Sequence, residues 1–139
     1  MENKTGSEPI RILIDHNIEG WAVLLWNTLR AEGWSDLCQV EMLMFADVGL
    51  ADNSNDRDVW RFAQINGMIL LTANRNMEGN NSLEQTIREE NTLTSLPVVT
   101  ISKVERLEDR LYRELCAERL LEIGLYPENY LGIGRLFIP

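Results

Sequence analysis

The sequence predicts an α/β protein: a three-layer α/β/α sandwich around a mainly parallel sheet. Two observations carry that prediction. Apolar runs at residues 10–14, 68–71 and 96–101 and an alternating stretch at 36–44 are separated by segments whose apolar residues recur at helical spacing, the order expected of strands joined by right-handed helical crossovers. In addition, the run from Ile10 to Ile14 is isoleucine or leucine at all but one position, which suits a strand buried on both faces, as parallel sheets require.

The chain has 139 residues, enough for one ordinary domain spanning 1–139, with a polar amino-terminal extension over 1–9. With 45% hydrophobic and 25% charged residues it has a globular composition. No apolar run approaches the roughly 20 residues that span a bilayer, and residues 1–9 resemble no apolar signal segment, so the expected location is the cytoplasm with no membrane partner. Cys38 and Cys116 form no CxxC and fall in apolar settings, the pattern of buried free thiols. A formal charge of -9 argues against broad, sequence-blind attraction to nucleic acid. It admits either a solvated acidic surface or carboxylates gathered around a divalent cation.

Taken in order, the first strand ends at Asp15-His16-Asn17. Ile18, Trp21, Ala22, Leu25 and Leu29 then fall on one helical face, with Gly33 as the stop. Alternation of Cys38, Val40, Met42 and Met44 predicts a half-buried strand nearer a sheet edge over residues 36–44. Residues 47–58 read as a loop carrying four aspartates. A helix follows through Val59, Phe62 and Ala63, stopped at Asn66-Gly67, before the buried strand 68–71. Ser82 and Gln85 have capping-box spacing for a helix ending near Asn91, and Pro97 is tolerable near the start of the next strand. Ser102 and Glu105 predict a second capping box, opening a long helix through Val104, Leu107, Leu111 and Leu115 to about Ile123. Residues 124–139 form either a last strand or an apolar tail packed on the domain or on a partner.

Three polar clusters stand where strands end or helices begin: Asp15-His16-Asn17, Asp56-Arg57-Asp58 and Asn74-Arg75-Asn76. In open α/β sheets ligands bind beyond the carboxyl ends of the strands, so these clusters can meet in one pocket. Carboxylate and amide oxygens gathered there suit a hard cation, Mg²⁺ or Mn²⁺. Each residue also has a purely structural reading. Asp15 and Asp56 can cap the helices that follow them, Asn74 and Asn76 suit turns, and His16 suits a hydrogen-bonded structural role. Arg57 and Arg61 lie one turn apart and Arg75 sits between the asparagines. They can clamp a phosphate or pair with nearby acids. Trp21, Trp26 and Trp60 suit core positions better than base-stacking ones.

The order and spacing of Ile12-Leu13-Ile14-Asp15, of Asp56 before Val59-Trp60-Arg61-Phe62-Ala63, and of Ile69-Leu70-Leu71-Thr72 with its polar pair resemble the PIN-like domains, specifically their small DUF5615-type branch. The resemblance covers about residues 10–102. It implies a metal-dependent ribonuclease that hydrolyses RNA phosphodiesters through a metal-bound water, many such proteins being the toxins of toxin–antitoxin pairs. By that resemblance Asp15 and Asp56 take the first two acidic positions, with Asn74 completing a set of ligands for Mg²⁺ or Mn²⁺. Asn76 joins them as a catalytic position, Arg75 and Arg57 as contacts to RNA. An antitoxin or other protein partner and a homodimer are the implied associations, the latter also suggested by the apolar tail. The family's third motif resembles Thr-x-Asp-x-Asp, whereas this chain has Thr72-Ala73-Asn74-Arg75-Asn76. An amide oxygen can coordinate a cation but brings no charge, so affinity should fall. That substitution motivates an alternative, a PIN-like binding or regulatory module without catalysis. A remoter reading, phosphotransfer, rests on a loose resemblance of Asp15, Thr72 and Lys103 to haloacid-dehalogenase enzymes, whose Asp-x-Asp opening is replaced here by Asp15-His16-Asn17.

Overall fold

A computed structural model describes residues 8–74 and 79–139. Its strands are β1 (Ile10–Ile14), β2 (Val40–Leu43), β3 (Ile69–Thr72), β4 (Val98–Ile101) and β5 (Arg135–Ile138). They form one five-stranded sheet in the order β2-β1-β3-β4-β5, with every neighbouring pair parallel. The helices are α1 (Glu19–Ala31), α2 (Trp34–Leu37), α3 (Phe45–Val48), α4 (Asp56–Ile65), α5 (Leu83–Glu90) and α6 (Arg110–Leu125).

Two cores explain the layers. Ile10, Ile12 and Ile14 of β1 point to one face, where they pack with Ala22, Leu25 and Leu29 of α1 and Cys116, Ala117, Leu120 and Leu121 of α6. Leu13 points to the other, with Val59, Trp60 and Ala63 of α4 and Leu83 of α5. Strand side chains alternate between faces, so a strand covered on both sides must be apolar throughout. β3 and β4 are buried at every position. Trp21 and Trp26 pack partly buried against the first core, and Trp60 is buried in the second. Cys38 and Cys116 are buried free thiols. Burial alone pushes the Cys116 thiol up to about 12. Among the described residues, no helix is long and apolar enough to cross a membrane.

Three boundaries differ from expectation. Trp34–Leu37 is a short helix, so the edge strand is shortened to Val40–Leu43. Gly33, at φ 83°, ends α1 as expected but also starts this extra turn, which consumes Asp36 and Leu37. Phe45–Val48 is helical, its last two residues inside the expected loop 47–58, because the Asp47 carboxylate accepts the Met44 amide at 2.8 Å while Phe45 anchors the turn in the core. The long final helix is broken as well. Val104–Glu108 is a 3₁₀ turn, and α6 starts at Arg110 because Asp109, with extended backbone, caps it by accepting the Leu111 amide at 3.1 Å. Ser102 and Glu105 therefore do not open it. The terminal stretch resolves as a strand, with Ile138 fully buried against Ile101.

The sheet order also fixes where a crevice opens. From β1 the chain goes out to β2 and returns to β3 on the other side of β1. The carboxyl ends of β1 and β3 thus flank the point where the winding reverses, the usual ligand crevice of doubly wound sheets.

Candidate active site

Asp15 follows the last residue of β1 and Thr72 is the last residue of β3, so the sheet register sets them side by side; the Asp15 amide donates to Leu71 O at 3.0 Å. The fully buried Thr72 hydroxyl donates to Asp15 Oδ2 at 2.6 Å and accepts the Asn74 amide at 2.9 Å. This one side chain aims the carboxylate and shapes the loop after β3.

Asp15 stands at the entry to the 3₁₀ turn His16–Ile18, where the Asn17 and His16 amides also favour its charged form, and α1 begins only at Glu19. Its carboxyl pKa is raised above the usual 3.8. Burial is the largest cause; the Thr72 hydroxyl opposes it, and the charge of Asp56 adds to it. Asp15 therefore feels a carboxylate that lies 41 residues away in sequence.

Asp56 is the first residue of α4, yet the cap is Asn55, whose side chain accepts the Asp58 amide at 2.9 Å. The cap itself thus falls to Asn55, while Asp56 carries favourable charge in the first turn of α4. Its Oδ2 instead receives Asn74 Nδ2 at 2.8 Å and the Leu83 amide at 3.2 Å. Leu83 opens α5, so Asp56 lies at the positive end of that helix, capped in its own right by Ser82 accepting the Gln85 amide at 3.1 Å. Asp15, Thr72, Asn74 and Asp56 thus form a continuous chain of polar contacts across the rim.

The other expected residues fare differently. Of the two readings for Arg57, the structure shows pairing with nearby acids. Its guanidinium is committed to Glu89 at 2.6 Å, to Glu90, to the Asn80 carbonyl and to Asn81 Oδ1 at 3.2 Å, and Arg61 joins Glu90 at 2.7 Å. These contacts tie α4 to α5 and hold the Glu90 carboxyl down to about 2, Arg61 contributing most. Their physical reason is helix packing: α4 and α5 lie together on one face of the sheet, which brings a distant pair of glutamates to Arg57. Arg75 and Asn76 lie outside the described residues. His16 Nδ1 sits 3.3 Å from Glu19 and 3.5 Å from Asp52, with the Phe45 ring 5.8 Å away, as a partly exposed structural group at the lip.

One residue escaped the sequence reading. Arg135 opens β5, and its side chain, 9% exposed, reaches over β4 to the rim. Its Nη1 donates to Asn74 O at 2.8 Å and Thr100 Oγ1 at 2.6 Å, and Nη2 lies 3.4 Å from Glu84 of α5. It pins the Asn74 backbone while Asp56 engages the Asn74 side chain. A single arginine in the otherwise apolar stretch 131–138 was the only signal available.

The oxygen-only donor set fits a hard cation. Among the described residues no three His, Cys, Asp or Glu side chains cluster to hold a metal. Such an ion would be held by Asp15 and Asp56 with neutral oxygens and retained waters, as Mg²⁺ commonly is. No family model, curated protein or solved structure matches this chain.

Proposed function

We propose that this protein is a PIN-like, Mg²⁺- or Mn²⁺-dependent ribonuclease acting in the cytoplasm. The observation that carries the reading is the convergence of Asp15 and Asp56 at the winding reversal, joined by Thr72 and Asn74. Asp15, whose proton affinity is raised by burial and by the charge of Asp56, is a carboxylate that a divalent cation would relieve. When bound, such an ion supplies Lewis-acid stabilisation of a phosphodiester and acidifies a water. The chain's own part is orientation. Thr72 fixes one Asp15 oxygen, Asn74 and the Leu83 amide fix one Asp56 oxygen, and Arg135 fixes the Asn74 backbone. By the family resemblance, RNA is the substrate and a protein antitoxin the partner that restrains it.

The test is cleavage of single-stranded RNA by purified protein with Mn²⁺. Cleavage that Asp15→Asn and Asp56→Asn each abolish supports the reading. Cleavage untouched by both, or its absence together with no toxicity on expression, overturns it.

A second reading has its own observation. Asn74 Nδ2 already donates to Asp56, partly doing the neutralising work of a cation. A binding module without catalysis follows if calorimetry detects no Mn²⁺ uptake that depends on Asp15.

A further inference from the structure

Away from the rim, α6 borders an open apolar groove. Its volume is about 470 Å³, between α2, α6 and the carboxyl-terminal Pro139, with Trp34, Leu115, Leu121, Leu125 and Tyr126 on its walls. Leu115 and Tyr126 are each 46% exposed and Leu111, one turn before Leu115, is 64% exposed. Leu111, Leu115, Glu118 and Glu122 fall at i, i+4, i+7 and i+11, one stripe of the helix facing away from the buried Tyr112, Cys116, Ala117 and Leu120. Opposite its buried face the helix therefore exposes two leucines, Leu111 and Leu115, followed on the same stripe by two glutamates.

Charge surrounds the stripe unevenly. Glu118 and Glu122 line the groove together with Arg119, and Glu32 and Glu114 stand with Arg110 and Arg113 on the neighbouring flank of α6. Arg110 and Arg119 are already spent inside the chain: Arg110 on Glu114 at 2.9 Å, and Arg119 on Glu122 at 3.0 Å and the Tyr130 hydroxyl at 2.9 Å. Glu32, whose carboxyl interacts with the Trp34 side chain at the groove wall, has its pKa raised, by burial first and then by the charges of Glu114 and Glu118. Like charges held together beside an apolar surface are relieved by an incoming cationic one.

We propose that the α2–α6 groove docks an amphipathic helix of another protein, whose apolar face enters between Trp34 and Leu115 and whose lysines or arginines meet the acidic rim. An apolar stripe at helical spacing, flanked by charge, is the requirement of helix-in-groove recognition. A second copy of this chain fits poorly, because it brings the same excess of acid in a molecule of net charge -9. Nucleic acid fits no better, since the rim repels phosphate. Docking there is independent of the chemistry at Asp15.

The probe is a helical peptide of about 15 residues with leucine at i, i+4, i+7 and i+11 and lysine on the flanks, compared with a twin carrying glutamate in place of lysine and with a scrambled lysine version. Amide spectra of the full chain should show saturable shifts at Trp34, Leu115, Leu125 and Tyr126 with the lysine peptide only. Leu115→Gln, at an exposed position that leaves the fold intact, should weaken binding about fivefold, and Glu118→Lys about tenfold, less so in high salt. Equal binding of the scrambled peptide, or shifts centred elsewhere, overturns the proposal. So does concentration-dependent shifting of the same residues in peptide-free protein, which would assign the groove to a second copy.

Discussion

Replacing Asp15 by asparagine should stabilise the protein while removing its proposed chemistry. The folded-state pKa of Asp15 lies above the usual 3.8, burial being the main cause and the charge of Asp56 a further one. The folded protein therefore holds that proton more tightly than the unfolded chain does. Ionisation then costs stability, a penalty that grows as pH rises from 3.8 and is complete above the folded-state pKa. Asparagine keeps an oxygen for the Thr72 hydroxyl, which now donates to a neutral acceptor; exchanging a charge-assisted bond for a neutral one gives back about 1 kcal/mol. Even with that bond in place the ionised form is disfavoured, so removing the charge outweighs the weaker bond. We expect a net gain in stability at pH 7.5, read as a Tm above that of the wild type. The gain should shrink with falling pH and vanish below 3.8. Differential scanning calorimetry across that range measures it. Adding Mn²⁺ at ten times its Kd should raise the wild-type stability by about 1.4 kcal/mol and leave the variant unchanged. An Asp15→Asn protein less stable than wild type at pH 7.5 would refute the reasoning, because it would mean the folded site favours the charge.

Other perturbations test neighbouring links. Arg135→Lys keeps the charge but loses the planar guanidinium whose Nη1 donates to Asn74 O and Thr100 Oγ1 while Nη2 faces Glu84, so unfolding in urea should show a loss of about 1–3 kcal/mol, and the Asn74 side-chain amide resonance should move. Glu90, held down to about 2 by Arg61 and then Arg57, contributes stability that is fully present above 4.5 and lost as pH falls through about 2; Glu90→Gln should flatten that part of the acid-unfolding curve. Gly124→Ala would set a methyl 2.5 Å from Ile10 Cγ2, inside the core face of β1. It should cost about 1–3 kcal/mol in urea unfolding, lessened by up to about 1 kcal/mol of helix propensity.

The strands were legible because parallel strands buried on both faces must be apolar at consecutive positions, a pattern that β1, β3 and β4 display with little interruption. The short helices α2 and α3 were not. Each is a single turn held by local contacts, the Gly33 reversal and the Asp47 carboxylate on the Met44 amide, which leave no periodicity to detect. β5 is ambiguous in the sequence because its apolar run, Leu136-Phe137-Ile138, is short and follows a stretch rich in Gly, Pro and Tyr. At the rim, Asp15, Asp56 and Asn74 were found because all three lie where elements begin or end, and the fold brings them together. For Arg57 the sequence allowed a phosphate clamp or pairing with acids, and could not name the acids, because Glu89 and Glu90 reach it only through the packing of α4 on α5. Arg135 could not be assigned from sequence, since its partners Asn74 and Thr100 lie 61 and 35 residues away and depend on β5 lying beside β4.

If Asp15 and Asp56 serve one cation, anomalous diffraction from crystals soaked in Mn²⁺ reveals it most directly. The predicted result is a single peak about 2.0–2.3 Å from an oxygen of each carboxylate, lost in Asp15→Asn. Crystals of the wild-type protein with no peak between these side chains, or with manganese bound elsewhere, would contradict it.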